Sequence, residues 1–187
     1  RRQSDPDGVT HYHLRRKDQA TSDGEKEFLI ELLSTWHQAD LEVMAGIDMD
    51  RIREVGTLTG QRLFNIIPEK PHQWSAKQLA QLVAKYIRLP GGVKLNFTTV
   101  TDDEIVLKFT CCQPEIMRVN PCAACSFTYH FWRSILKSAF PTAELKMIST
   151  MGFGAPCCAL QFILDPTPDE ARDAVDSFAR LEREATE

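Results

Sequence analysis

No cysteine precedes Cys111 and none follows Cys158, so nothing in the sequence can staple the whole chain together by disulfides. An apolar run of the roughly 18–20 residues that would cross a bilayer is also missing, because charge or proline breaks the longest candidates. Basic charge is not in excess. With 22 Lys and Arg against 26 Asp and Glu, the net charge is -4, which supplies no general field for nucleic acid or an anionic membrane. The N-terminus is polar and charged and carries no apolar signal run, which points to the cytoplasm, where disulfides are disfavoured. The first residue is Arg1 and not Met, so a processed chain or a piece of a longer protein fits as well as a whole one. What remains is enough for one core: 187 residues, 43% hydrophobic, the size of a single domain.

Residues 1–24 mix Arg, Asp, Gln, Ser and Gly without apolar periodicity and read as a polar arm. His11 and His13 in this arm have metal-binding spacing, but in a polar tail a solvated terminus is the better explanation. From Glu25 the period becomes helical, and residues 25–187 read as one domain. Phe28, Leu29, Leu32, Leu33, Trp36, Leu41 and Met44 mark a first helix ending near Gly46. A second starts near Asp48 or Asp50, carries Ile52, Val55, Leu58, Leu63 and Phe64, and stops at Pro68. Gly56 and Gly60 lie on one side of it. They cost about 1 kcal/mol each in helix propensity, so another backbone or a ligand should approach there. Ser75 can cap a third helix bearing Leu79, Leu82, Val83 and Ile87. The period then drops to two. Val93 to Thr99 and Ile105 to Phe109 form a hairpin around Asp102 and Asp103. Pro121 opens a central helix, Leu145–Thr150 and Cys158–Leu164 form a second hairpin, and a last helix runs from Pro168 to Glu184 with Ala171, Val175, Phe178 and Leu181 inward. The predicted order is αααββαββα, an α+β fold with helices on one face of a small antiparallel sheet.

The six cysteines form three clusters: Cys111 with Cys112, Cys122 with Cys125, and Cys157 with Cys158. Cys122-x-x-Cys125 has the spacing for two sulfurs on one ion at about 2.3 Å, as in zinc sites. Successive side chains on a strand diverge, so each adjacent pair should give one ligand. Cys112, Cys122, Cys125 and Cys158 are the expected set, with Cys111 and Cys157 as substitutes, for zinc or an iron-sulfur cluster. Two other readings use the same thiols. A cysteine at a helix N-terminus loses its proton more readily, which would make Cys122 or Cys125 a nucleophile, although no thioredoxin-like βαβ unit surrounds it. A hydrolase would need a base. His130 is out of register with Cys125, and His37 and His72 could approach only through folding. Against all three stands cysteine as a small buried hydrophobe. Phe127, Phe131, Trp132, Met147, Met151 and Phe153 would line an apolar pocket for a small apolar or aromatic molecule, or simply fill the core.

Val55-Gly56-Thr57-Leu58-Thr59-Gly60 before the first strands, Cys125-Ser126-Phe127 opening the central helix, and Gly154-Ala155-Pro156-Cys157-Cys158-Ala159-Leu160 leading into the last strand carry a resemblance. Together with the element order they resemble the 4-vinyl reductase domain family over about residues 30–165. Relatives of that family include small-molecule sensor domains, TRAPP vesicle-tethering subunits and hydrolases of amino-thiazoline carboxylate. The resemblance implies an α+β domain that binds or senses a small molecule. In sensor-type relatives a Glu and a further Cys before the terminal turn complete a zinc site, whereas this chain has Lys146-Met147-Ile148-Ser149-Thr150. The family's metal site therefore does not transfer intact. The expected function is a small-molecule-binding or sensing domain with a cysteine-ligated centre beside an apolar pocket. The alternatives are a thiol- or metal-dependent hydrolase or redox enzyme and a metal-free interaction module. A sensor is expected to continue into an effector domain, and an enzyme or accessory factor to stand alone. Monomer and homodimer are both open.

Overall fold

The structure is a computed structural model and describes residues 49–67, 70–87, 95–110 and 121–184. The expected polar arm, the helix from Glu25 to Gly46, the helix stop at Pro68, Val93 at the start of the first hairpin, and Cys111 and Cys112 lie outside these residues. Within them the elements are α1 (Met49–Ile66), α2 (Ala76–Tyr86), β1 (Leu95–Val100), β2 (Glu104–Phe109), α3 (Pro121–Ala139), β3 (Glu144–Ser149), β4 (Cys158–Ile163) and α4 (Pro168–Glu184), with a 3-10 turn at Met151–Phe153. The fold is α+β: helices packed on a four-stranded antiparallel sheet, in the order the sequence predicts. Strand order is β1-β2-β4-β3, so β4 lies between the two strands that precede it in different hairpins.

Alternation decides which face of the sheet is covered. Phe97 pairs with Leu107, Leu107 with Leu160 and Leu160 with Met147, while Ile105 and Leu145 both oppose Phe162. All these side chains fall on one face and are buried. α3 lies over that face, and its Trp132 meets Phe162 with ring centroids 6.2 Å apart. Burying a side chain of this kind stabilises by roughly 2–3 kcal/mol relative to exposure. The Tyr129 hydroxyl donates to the Leu145 carbonyl at 3.2 Å, tying helix to strand.

α1 packs against the other side of α3, and here the glycines answer the sequence question. A β-carbon on Gly56 would lie 2.7 Å from the Phe127 carbonyl oxygen. The buried stripe of α1 is Ile52, Val55, Gly56, Thr59, Gly60, Leu63 and Phe64. Leu58, expected in that stripe, is 50% exposed, because the glycine face and not the leucine turns toward α3. In α2 the Ser75 hydroxyl accepts from the Gln78 N–H while the Gln78 side chain accepts from the Ser75 N–H, a reciprocal capping box worth about 1 kcal/mol.

α4 covers the edge of β3. The Met147 N–H donates to Ser177 Oγ at 3.1 Å, Lys146 pairs with Asp173, and Phe178 stacks on Tyr129 with centroids 4.4 Å apart. An edge strand protected this way offers less to a second sheet. Val175, expected to point inward, is 49% exposed, and Ala174 and Ser177 are buried in its place.

Candidate functional site

α3 begins at Pro121, whose fixed φ suits the first helical position. Cys122 follows and is half-buried; Cys125, one turn on, is buried. The second hairpin brings its own sulfur to this end of the helix. Cys158 opens β4 opposite Phe109, on the core-facing side, and is buried. Its neighbour Cys157 is only half-buried, as divergence along a strand requires, and its carbonyl accepts from Ser149 Oγ at 2.9 Å. None of the four described cysteines is in a disulfide.

One hydroxyl joins the two buried thiols. Thr150 Oγ1 lies 2.9 Å from Cys125 Sγ, accepts from Cys158 Sγ at 3.7 Å, and accepts the Gly152 N–H at 3.3 Å. The Met151 N–H in turn donates to Cys158 Sγ at 3.4 Å. Register places the threonine there. The ladder between β3 and β4 shifts between Met147 and Ser149, leaving Ile148 as an outward bulge that is 49% exposed. That extra residue reverses the alternation beyond it, so Ser149 turns away from the core and Thr150 turns in. Strict period-two reading of Leu145–Thr150 hides this residue. The signal available was the pairing of Ser or Thr with a following Gly-containing turn, since Thr150 is the N-cap of the 3-10 turn.

Two forces act on Cys125. The helix N-terminus favours the thiolate by about 0.3–1 kcal/mol. Burial disfavours it and pushes the thiol from 9.0 up to about 11, with the Thr150 contact offsetting only part of the rise. A rise of that size is roughly 3 kcal/mol against the thiolate, so burial wins. Burial thus opposes the thiolate that the helix position is expected to favour at this residue. Cys122 lies near enough to raise the Cys125 value further through its charge. His130 is not oriented toward these thiols by any hydrogen bond among the described residues. It packs edge-on against Tyr129 and Phe178, and burial, with Arg133 and Arg53 nearby, lowers its pKa to about 4.

Among the described residues no three His, Cys, Asp or Glu side chains are disposed to hold a metal ion. The chain enters residues 111–120 from the end of β2, where Phe109 pairs with Cys158, and leaves them at the start of α3. Of the expected pocket residues, Phe127, Phe131, Trp132 and Met147 are buried members of the core, and Phe131 meets both Phe127 and Trp132 in ring contacts. Met151 and Phe153 are half-buried and belong to the turn beside the thiols. Two buried polar atoms, Ser126 Oγ and Trp132 Nε1, have no hydrogen-bond partner among the described residues.

No helix among the described residues is long and apolar enough to cross a membrane. No family model matches the chain, and no curated protein matches it. These comparisons therefore assign the chain to no family.

Proposed function

We propose that the chain is a small-molecule-binding or sensing domain whose chemistry resides in the thiol centre at the start of α3. The observation that carries this reading is the meeting of Cys125 and Cys158, from a helix and a strand, on the buried Thr150 hydroxyl, with Cys122 one helical turn away. Cysteines that serve only as small hydrophobes have no need of a shared polar partner. In this reading Cys122, Cys125 and Cys158, joined by Cys112, would hold zinc or an iron-sulfur cluster. Met151 and Phe153 would meet a small apolar or aromatic molecule beside it, with Phe127, Phe131, Trp132 and Met147 as the wall behind.

The fit of the described residues to such a group is partial: two sulfurs share one hydroxyl, and a third ligand is not assembled with them. Ligating thiols must lose their protons, and burial of Cys125 opposes that loss unless a bound cation compensates. When bound, the group would supply Lewis-acid or electron-accepting chemistry. The chain's own residues hold the sulfurs in place and keep water from Cys125 and Cys158. Burial of Cys125 opposes a free thiolate there, as a nucleophile on this residue would require. An enzyme would have to rely on the half-buried Cys122.

Elemental analysis and a visible spectrum of anaerobically purified protein test the proposal. Iron with sulfide indicates a cluster, and stoichiometric zinc a structural or hydrolytic site. A metal content that survives replacement of Cys122 and Cys125 together by serine rejects these ligands. Protein free of metal rejects the metal-bearing centre and leaves a thiol-lined binding domain or an interaction module.

A further inference from the structure

A groove of about 240 Å³ runs between α1 and α3 and shares no lining residue with the thiol centre. Thr57 and Gln61 form its α1 side, and His130, Arg133, Ser134, Lys137 and Ser138 its α3 side. Both sets recur every three or four residues, so each helix turns one polar stripe into the groove. None of the lining residues carries a carboxylate.

The hydrogen bonds within the groove decide what is left to bind with. The three hydroxyls donate to main-chain carbonyls: Thr57 to Arg53, Ser134 to Thr57 and Ser138 to Ser134. Arg133 and Lys137 share the single carboxylate of Glu144, which is only 12% exposed, so one positive charge of the trio is not balanced within it. Arg133 uses Nε and Nη2 in that contact, and its Nη1 has no acceptor among the described residues. The Gln61 side chain and the His130 ring have no hydrogen-bond partner there either. Burial, then Arg133 and Arg53, keep the imidazole neutral near pH 7, so one of its nitrogens donates. Lys137 Nζ also donates to the Pro141 carbonyl, so the groove presents a guanidinium edge, the remaining N–H of an ammonium, an amide and an imidazole around a space a few heavy atoms wide.

We propose that this groove is a binding site for a small oxyanion, the carboxylate or phosphate group of a small metabolite. A cluster of donors with surplus positive charge and no competing carboxylate in the lining is complementary to negatively charged oxygens. Phosphate and carboxylate offer the same acceptor chemistry, and the two differ in shape and charge.

The test follows amide, Arg133 side-chain and His130 signals of the isotopically labelled full chain during titration with inorganic phosphate and, separately, with acetate. Ionic strength is held constant with chloride. Saturable shifts at Thr57, Gln61, Arg133 and Lys137 with either anion, absent with chloride alone, are the expected result, and the anion that saturates first names the class. Arg133→Gln should weaken that binding about tenfold, with Lys137 still satisfying Glu144. Gln61→Ala, an exposed change that leaves the helix intact, should weaken it about threefold. Shifts that grow linearly without saturation, that chloride reproduces, or that neither variant alters would overturn the proposal.

Discussion

The carbonyl oxygen of Phe131 lies 2.5 Å from the point that a β-carbon on Gly60 would occupy. Real β-carbons do not approach an oxygen so closely, so any larger residue must push α1 and α3 apart. One turn earlier Gly56 stands in the same relation to Phe127. Ser134, whose Oγ donates to the Thr57 carbonyl at 2.9 Å, pins the two backbones at this separation. Replacing either glycine by alanine gains about 1 kcal/mol in helix propensity. It also overpacks a helix contact, at a cost of about 1–3 kcal/mol for each methyl. Because the obstructing atoms are backbone, which cannot rotate aside, the clash should win. Gly60→Ala is expected to lose up to about 2 kcal/mol net, and the double variant more. Urea unfolding measures this, and a midpoint at or above that of the parent would show that the helices separate freely.

Thr150→Val keeps the volume of the side chain and deletes its oxygen. The Gly152 N–H then loses its contact with the Thr150 hydroxyl, and both buried thiols lose the hydroxyl they share. Losing these contacts costs about 0.5–1.5 kcal/mol for each hydrogen bond, and Thr150→Ser should recover most of it. Equilibrium unfolding of the pair of variants checks the claim. Equal stability of Val and Ser at this position would mean that the hydroxyl organises nothing.

The route to Thr150 also shows where the sequence is legible and where it is not. Element order follows from period changes and punctuation: Ser75 as cap, Pro121 as first helical residue, Asp102 and Asp103 as hairpin turn. Gly56 and Gly60 announce a close approach, and the partner is found only when α3 folds back. The inward turn of Thr150 depends on a bulge at Ile148 that no local composition demands, because bulges are fixed by how β3 must meet β4. Leu58 and Val175 fail for a related reason: hydrophobic character alone assigned them to the buried stripe, while tertiary packing placed smaller neighbours there. The convergence of Cys125 and Cys158 has the same origin, since it depends on β4 entering between β2 and β3.

Two shifted groups make stability depend on pH in opposite directions. The Cys125 pKa is raised on folding, so its contribution is fully present below 9.0 and is lost as pH rises toward about 11. Over that window the unfolded chain gives up the proton while the native thiol keeps it, for a loss of roughly 3 kcal/mol. The His130 pKa is lowered from 6.5 to about 4, so its contribution is present above 6.5 and is lost as pH falls through 4. Its ring is partly solvated, which discounts the effect to roughly 1–2 kcal/mol. Unfolding free energies across pH 4–11 for the parent, Cys125→Ala and His130→Gln isolate each slope by difference. Parallel curves for parent and variant would remove the burial argument for that group.

Ser126 gives the sharpest test of whether the interior near the thiols holds anything besides protein. Its side chain is fully buried on α3, and its oxygen has no partner among the described residues. A threonine two positions on, Thr128, shows the usual alternative by donating back to the Ala124 carbonyl at 2.8 Å. An unsatisfied buried hydroxyl costs about 1–3 kcal/mol, so Ser126→Ala should stabilise the protein or leave it unchanged. Loss of stability would mean that the hydroxyl is bonded in solution to a water or ligand. In that case the variant should also bind an apolar solvatochromic dye differently from the parent, which would place the occupied site beside Cys125 and Cys122.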